Sequence, residues 1–206
     1  MNRQHILISF ILSVILGGCV TVSTPAIDVY TIDTTCEANN STQRKTKSPK
    51  ILKVLEPRSS TSIASQHILY QKNEFTQNPY AYSAWNDAPN KMLGSLFLSC
   101  ISKNSIFTAV LPSRSKGKSD FLLESMLLDF YHNVNIDGSS EGRVRIVFYL
   151  IEKKNGRVIA TKEFFSKVDS NTLDAKGGVK ALNDSSKSIA LTLTQWISSL
   201  NNFVED

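Results

Sequence analysis

Thiols, imidazoles and carboxylates are the groups with which this chain of 206 residues could do chemistry, and it holds three cysteines and three histidines. Cys19 follows Leu16-Gly17-Gly18 at the end of an apolar run, Ile6 to Leu16, broken only by Ser9 and Ser13. Arg3 stands before that run. A positive start, a short apolar stretch and small residues, in that order, make a secretory signal. A thiol at such a boundary is a nucleophile for alkylation. Cys36 and Cys100 remain. An even pair in an exported chain suggests a disulfide, worth about 4 kcal/mol by the loop-entropy estimate. Cys100 also stands beside Leu96, Phe97 and Ile101. It reads equally as a small apolar residue on a helix.

Acid–base and metal chemistry find less. His5 lies in the signal, while His67 and His132 fall in or beside expected strands. Neither has a cysteine or second histidine at metal-ligand spacing, so each reads as a surface or half-buried ring. Ser115-Lys116-Gly117-Lys118-Ser119 ends in Gly-Lys-Ser but lacks the upstream glycine of a phosphate-cradling loop. Glu124 and Asp129 are five apart, an odd spacing that sends them to opposite faces of a strand. General acid–base work needs convergent groups. The expectation is therefore no catalytic residue, no metal site and no enzyme. A deep pocket holding His132 or His67 beside a carboxylate would revive an exported enzyme.

Leu16-Gly17-Gly18-Cys19 resembles the bacterial lipobox. The resemblance implies cleavage before Cys19, a diacylglycerol thioether on its sulfur and an acylated new amino end. Covalent lipid on Cys19 is then the one non-protein group expected. Each buried methylene contributes roughly 0.8 kcal/mol, so three chains would anchor almost permanently. The alternative is an uncleaved span, for which Ile6 to Val22 is at the short end of the usual ~17–25 residues. Val20 stands where an aspartate commonly retains lipoproteins at the inner membrane. Its presence there implies delivery to the periplasmic face of the outer membrane.

On this reading residues 1–18 are the signal peptide, 19–26 a lipidated tether and 27–206 a single domain. Loss of residues 1–18 from 206 leaves 188, enough for a sizeable core. The formal charge of +5 falls to +4 with Arg3. That mild balance suits anionic headgroups and does not indicate nucleic acid.

The elements that must position these groups follow from pattern. Strands are expected over 27–32, 50–56, 66–71 and 106–111, with polar loops at 37–49, 58–65 and 113–119. Residues 72–85 read as an irregular stretch carrying Tyr80, Tyr82 and Trp85. Asp87 and Pro89 open a helix that runs to about Lys103, with Met92, Leu93, Leu96, Phe97, Cys100 and Ile101 on one face. Long strands follow at 121–131, 143–152 and 157–168. Asn155-Gly156 between the last two predicts a hairpin with a type I′ turn. Gly177-Gly178 precede a last helix, about Val179 to Leu200, with Leu182, Ile189, Leu193, Trp196 and Ile197 on its apolar stripe. The sum is an α+β fold. A mostly antiparallel sheet carries two amphipathic helices packed on one face, a two-layer sandwich.

Taken in order, these features resemble the ABC-type transport auxiliary lipoproteins. The resemblance rests on Cys19, Tyr30-Thr31-Ile32, Ile51-Leu52-Lys53-Val54, Ile68-Leu69-Tyr70 and the segment Tyr80 to Trp85 with Pro89 after it. The helix to Ile101, Phe107-Thr108-Ala109-Val110, Leu127-Leu128-Asp129-Phe130, Lys162-Glu163-Phe164 and Trp196-Ile197 complete it. It implies a role rather than a reaction: accessory to an inner-membrane ABC transporter and a periplasmic mammalian-cell-entry-type protein that move lipid between membranes. A homo-oligomeric ring would suit the end of such a tube, by fold-level analogy alone. Tyr80, Tyr82 and Trp85 are candidate interface anchors, or else cover a sheet edge or the core. The competing role is a structural or assembly lipoprotein of the outer membrane without a lipid-transport partner.

Overall fold

The structure is a computed structural model and describes residues 25–36 and 48–200. Cys19, its signal, most of the tether and the greater part of the polar loop at 37–49 lie outside the described residues.

Nine strands form one sheet: β1 (Asp28–Tyr30), β2 (Ser48–Val54), β3 (Arg58–Ser59), β4 (His67–Asn73), β5 (Thr76–Trp85), β6 (Phe107–Pro112), β7 (Phe121–Val134), β8 (Ser140–Glu152) and β9 (Arg157–Asp169). Two helices accompany it among the described residues, α1 (Pro89–Lys103) and α2 (Ala175–Ser199).

The centre is the antiparallel β7-β8-β9 meander. Successive side chains of a strand alternate between faces, and β8 obeys this along its length: Val144, Ile146, Phe148 and Leu150 are buried between half-exposed neighbours. Both helices cover that face. Phe97 of α1 meets Phe148 edge-on at 5.1 Å. Phe148 meets Phe164 at 5.7 Å, and Phe164 meets Trp196 of α2 at 5.9 Å. A fully buried side chain of this size contributes about 1.5–3 kcal/mol over leaving it in water. The interlocked rings therefore fix both helices to one layer, and the fold is an α+β two-layer sandwich.

The sheet is mostly antiparallel through its long strands, but it is mixed rather than purely so. The free side of β7 is shared by three short strands in succession, β2, β3 and β4, each parallel to it. β1 pairs parallel with β5, and β6 parallel with β2. Parallel partners need a crossover between them, and α1 lies within the one that joins β2 to β6. Nothing in the local pattern of a short strand states its direction.

Other expectations are corrected. Residues 72–85 are not irregular: β5 occupies most of them and pairs antiparallel with β4, with Pro79 opposite Leu69. The loop at 58–65 contributes Arg58 and Ser59 as β3 against Met126 and Leu127. Gly177 and Gly178 lie inside the first turn of α2, not before it. The side chain of Asp174 caps that turn by accepting from Gly177 N at 2.9 Å. The Asn155-Gly156 hairpin is present, but its turn is not type I′. Gly156 has φ of 72° and Asn155 is not in the left-handed region. Lys153 to Gly156 form a four-residue connection closed by Gly156 N donating to Glu152 O at 3.0 Å.

Candidate functional site

Cys36 and Cys100 are joined, with Sγ–Sγ 2.06 Å and Cα–Cα 5.2 Å. Both are buried within the core cluster. Cys100 is thus a bonded thiol and an apolar residue of the α1 face together. The ammonium of Lys103, one turn on, donates to the Cys36 carbonyl. These contacts tie the segment after β1 to α1.

The three aromatics proposed as anchors have different fates. Trp85 is 1% exposed and packs on Phe130 at 5.7 Å, so it is core and offers nothing to a partner. Tyr80 turns inward, tilted against Tyr70 at 4.7 Å, with its Oη 2.7 Å from Nδ1 of His132. Burial pushes its phenol up to about 12. Tyr82 alone faces solvent, at 56% exposure. An even spacing should put Tyr80 and Tyr82 on one face. β5 is bulged between them and β4: two steps on β4, His67 to Leu69, match five on β5, Ala84 to Pro79.

His132 is fully buried, not a surface ring. Its Nε2 has no partner among the described residues. Burial lowers its proton affinity and so favours the neutral ring, opposed by the Asp174 carboxylate. His67 is exposed at the start of β4. Two of the clefts on the described surface carry charged groups. One, of about 290 Å³, lies between the end of β2, α1 and the loop after β6, and Glu56, Asp87, Lys91 and Arg114 supply its charged groups. The other, of about 840 Å³, lies where the β4–β5 and β7–β8 turns meet. Neither is lined by His67 or His132. Among the described residues no cluster of three or more His, Cys, Asp or Glu could hold a metal.

Glu124 and Asp129 do share a face, contrary to the odd-spacing argument. β7 is bulged at Leu128: Leu127 opposes Ile146, while Asp129 opposes the next residue back, Arg145. The extra residue inverts the alternation. The two carboxylates still do not converge, since their partners Tyr149 and Arg145 are four residues apart, about 13 Å. Glu124 pairs with Arg58 at 3.2 Å. Asp129 accepts from Arg145 Nε at 2.5 Å, and Arg145 reaches Glu163 at 3.9 Å.

These charges lie on the face of the sheet that carries no helix among the described residues. Exposed Met126, Leu128 and Phe165 flank them, and Tyr82 stands across the sheet near exposed Ile27 and Val29. Apolar side chains thus stand around a row of ion pairs on this face. That surface is the candidate site.

The class is therefore a two-layer α+β domain, with one sheet face uncovered by the described residues. No family model matches the chain, and no curated protein matches it. Solved structures do share the fold. Protein XCC0632 from Xanthomonas campestris, of the family DUF330, superposes with a TM-score of 0.73 at 17% identity, covering 84% of this chain and 98% of its own. An uncharacterised protein superposes with a TM-score of 0.65 at 13% identity, covering 84% of this chain and 99% of its own. Lipoprotein GNA1162 from Neisseria meningitidis reaches a TM-score of only 0.38 at 12% identity, covering 71% of this chain and 99% of its own. The likeness to the first two is one of fold. Among the described residues no helix is long and apolar enough to cross a membrane.

Proposed function

We propose that this chain is a lipoprotein anchored through Cys19 to the periplasmic face of the outer membrane. Its role is accessory to an ABC and mammalian-cell-entry-type system that moves lipid between the two membranes. It docks a periplasmic partner and catalyses nothing itself.

The observation that carries this reading is the ordered resemblance from Cys19 to Ile197, borne by a domain with one free sheet face. The lipobox supplies the anchor. The interlocked rings and the Cys36–Cys100 bond supply rigidity. The face with Tyr82, Met126, Leu128 and Phe165 supplies a surface on which a partner can bury apolar area.

Affinity capture from detergent-solubilised envelopes tests it. A mammalian-cell-entry-type protein should be recovered repeatedly. Recovery of assembly factors of the outer membrane alone would favour the structural role instead. Adjacent genes for a permease, an ATPase and a mammalian-cell-entry protein are the cheaper observation.

A further inference from the structure

Phe75 and Ile136 are the most exposed large apolar side chains described, at 96% and 99%. They sit at the tips of two neighbouring turns. β4 runs parallel to β7, with Tyr70 opposite His132 and Gln71 opposite Asn133, so both strands end on the same rim of the sheet. Phe75 follows β4 and Ile136 follows β7, and both line the 840 Å³ cleft between the turns. The β7–β8 turn is braced. Asn135 N donates to Ser139 O at 2.8 Å, and Asp137 Oδ1 accepts from Ser139 N at 2.9 Å. Ile136 is therefore held outward by its turn.

The start of the domain points to the same rim. β1 runs parallel to β5, with Asp28 opposite Ser83. The chain thus enters β1 from the side on which β5 begins, beside Phe75. His67 opposes Ala84 and Asn73 opposes Thr76. The six steps along β4 from His67 to Asn73 measure the distance from β1 to the rim, about 20 Å. Cys19 precedes Asp28 by nine residues, which span up to about 30 Å. The tether is long enough to bring the acylated sulfur level with Phe75 and Ile136.

We propose that Phe75 and Ile136 insert into the bilayer interface beside the lipid anchor and fix the orientation of the domain. This rests on the reading of Cys19 as acylated. The occupant is lipid rather than an acidic or basic partner because the charges of the cleft balance. Lys72 and Arg143 stand against Glu74 and Asp137. Insertion of apolar side chains then supplies the attraction, and it depends little on anionic lipid. Once inserted, the rim sets the sheet upright on the membrane and leaves the helix-free face turned to the periplasm.

The test uses the full lipidated protein in vesicles of phosphatidylethanolamine and phosphatidylglycerol. An environment-sensitive fluorophore is placed on Phe75→Cys, on Ile136→Cys and, at the opposite end, on Lys116→Cys. The native pair Cys36–Cys100 is bonded and does not compete. At the two rim positions emission should shift to the blue, be quenched by lipid-borne nitroxides and be protected from aqueous iodide. Lys116→Cys should show none of the three. Protein that floats with the vesicles while the rim label stays open to iodide overturns insertion and leaves anchoring intact. A rim label protected from both quenchers places a second copy or another protein on the rim and overturns insertion. Protein that does not float with vesicles removes the anchor and the proposal together.

Discussion

The Tyr80 hydroxyl lies 2.7 Å from Nδ1 of His132, in the layer between the sheet and α2. Tyr80 Oη also approaches the Leu173 carbonyl at 3.3 Å. One assignment satisfies the most groups: Nδ1–H donates to Tyr80, and Tyr80 donates to Leu173. Only the Nε2 lone pair is then left without a partner among the described residues. A protonated ring would bury an N–H as well as a charge, at much greater cost.

This pairing predicts acid sensitivity. The folded ring binds its proton less readily than the unfolded chain does. Well above a pH of about 6.5 neither state is protonated and the contribution is complete. As pH falls below that value the unfolded chain takes up a proton that the folded chain refuses, and stability declines. The slope has a ceiling of about 1.36 kcal/mol per pH unit for one such group. Denaturant unfolding between about pH 5 and pH 7 should show this slope in the native protein. His132→Asn should remove it, and an unchanged slope would place the effect elsewhere.

Gly142 of β8 predicts a close-packing limit. A methyl there would stand 2.5 Å from the backbone of Ala181 and Leu182 in α2. Ser185 Oγ donates to the Gly142 carbonyl at 2.9 Å, so helix and strand are already in register. Gly142→Ala must push α2 off the sheet. A loss of about 1–3 kcal/mol is expected, read as a lower midpoint in urea.

Reduction of the Cys36–Cys100 bond, or the Cys36→Ala, Cys100→Ala double variant, should cost up to about 4 kcal/mol. The bond closes a loop with a sequence separation of 64. Thermal unfolding with and without reductant measures the loss. The interlocked rings of the core should keep the reduced domain folded at room temperature.

The proposed anchor is one sulfur, that of Cys19. Cys19→Ser should leave an uncleaved precursor without acyl chains, detected by mass spectrometry of the membrane fraction. Maturation of this variant together with normal outer-membrane fractionation would defeat the anchoring reading.

The helix-free face makes a separable prediction. Tyr82→Glu and Phe165→Glu change exposed positions at 56% and 51% exposure. They should leave the unfolding midpoint within about 0.5 kcal/mol of native. Capture of a periplasmic partner should fall at least tenfold, since a charge is placed where apolar area must be buried. Undiminished capture would move the docking surface elsewhere.

Local pattern determined much of this protein. Alternation placed Val144, Ile146, Phe148 and Leu150 on the buried face of β8, and helical spacing placed Leu93, Leu96, Phe97, Cys100 and Ile101 on that of α1. Both follow from periodicities that a single element enforces on itself. The resemblance to a lipobox is likewise a reading of consecutive residues, Leu16 to Cys19. The tertiary structure decided what depends on register between distant segments. The bulge in β7 joined Glu124 and Asp129 on one face, and the bulge in β5 parted Tyr80 from Tyr82. A single inserted residue inverts every later side chain, and only the partner strand shows where the insertion falls. The same holds for β1, β2, β3 and β4. Their parallel pairing is fixed by crossovers, and it alone brings Phe75, Ile136 and the entry of the chain to one rim.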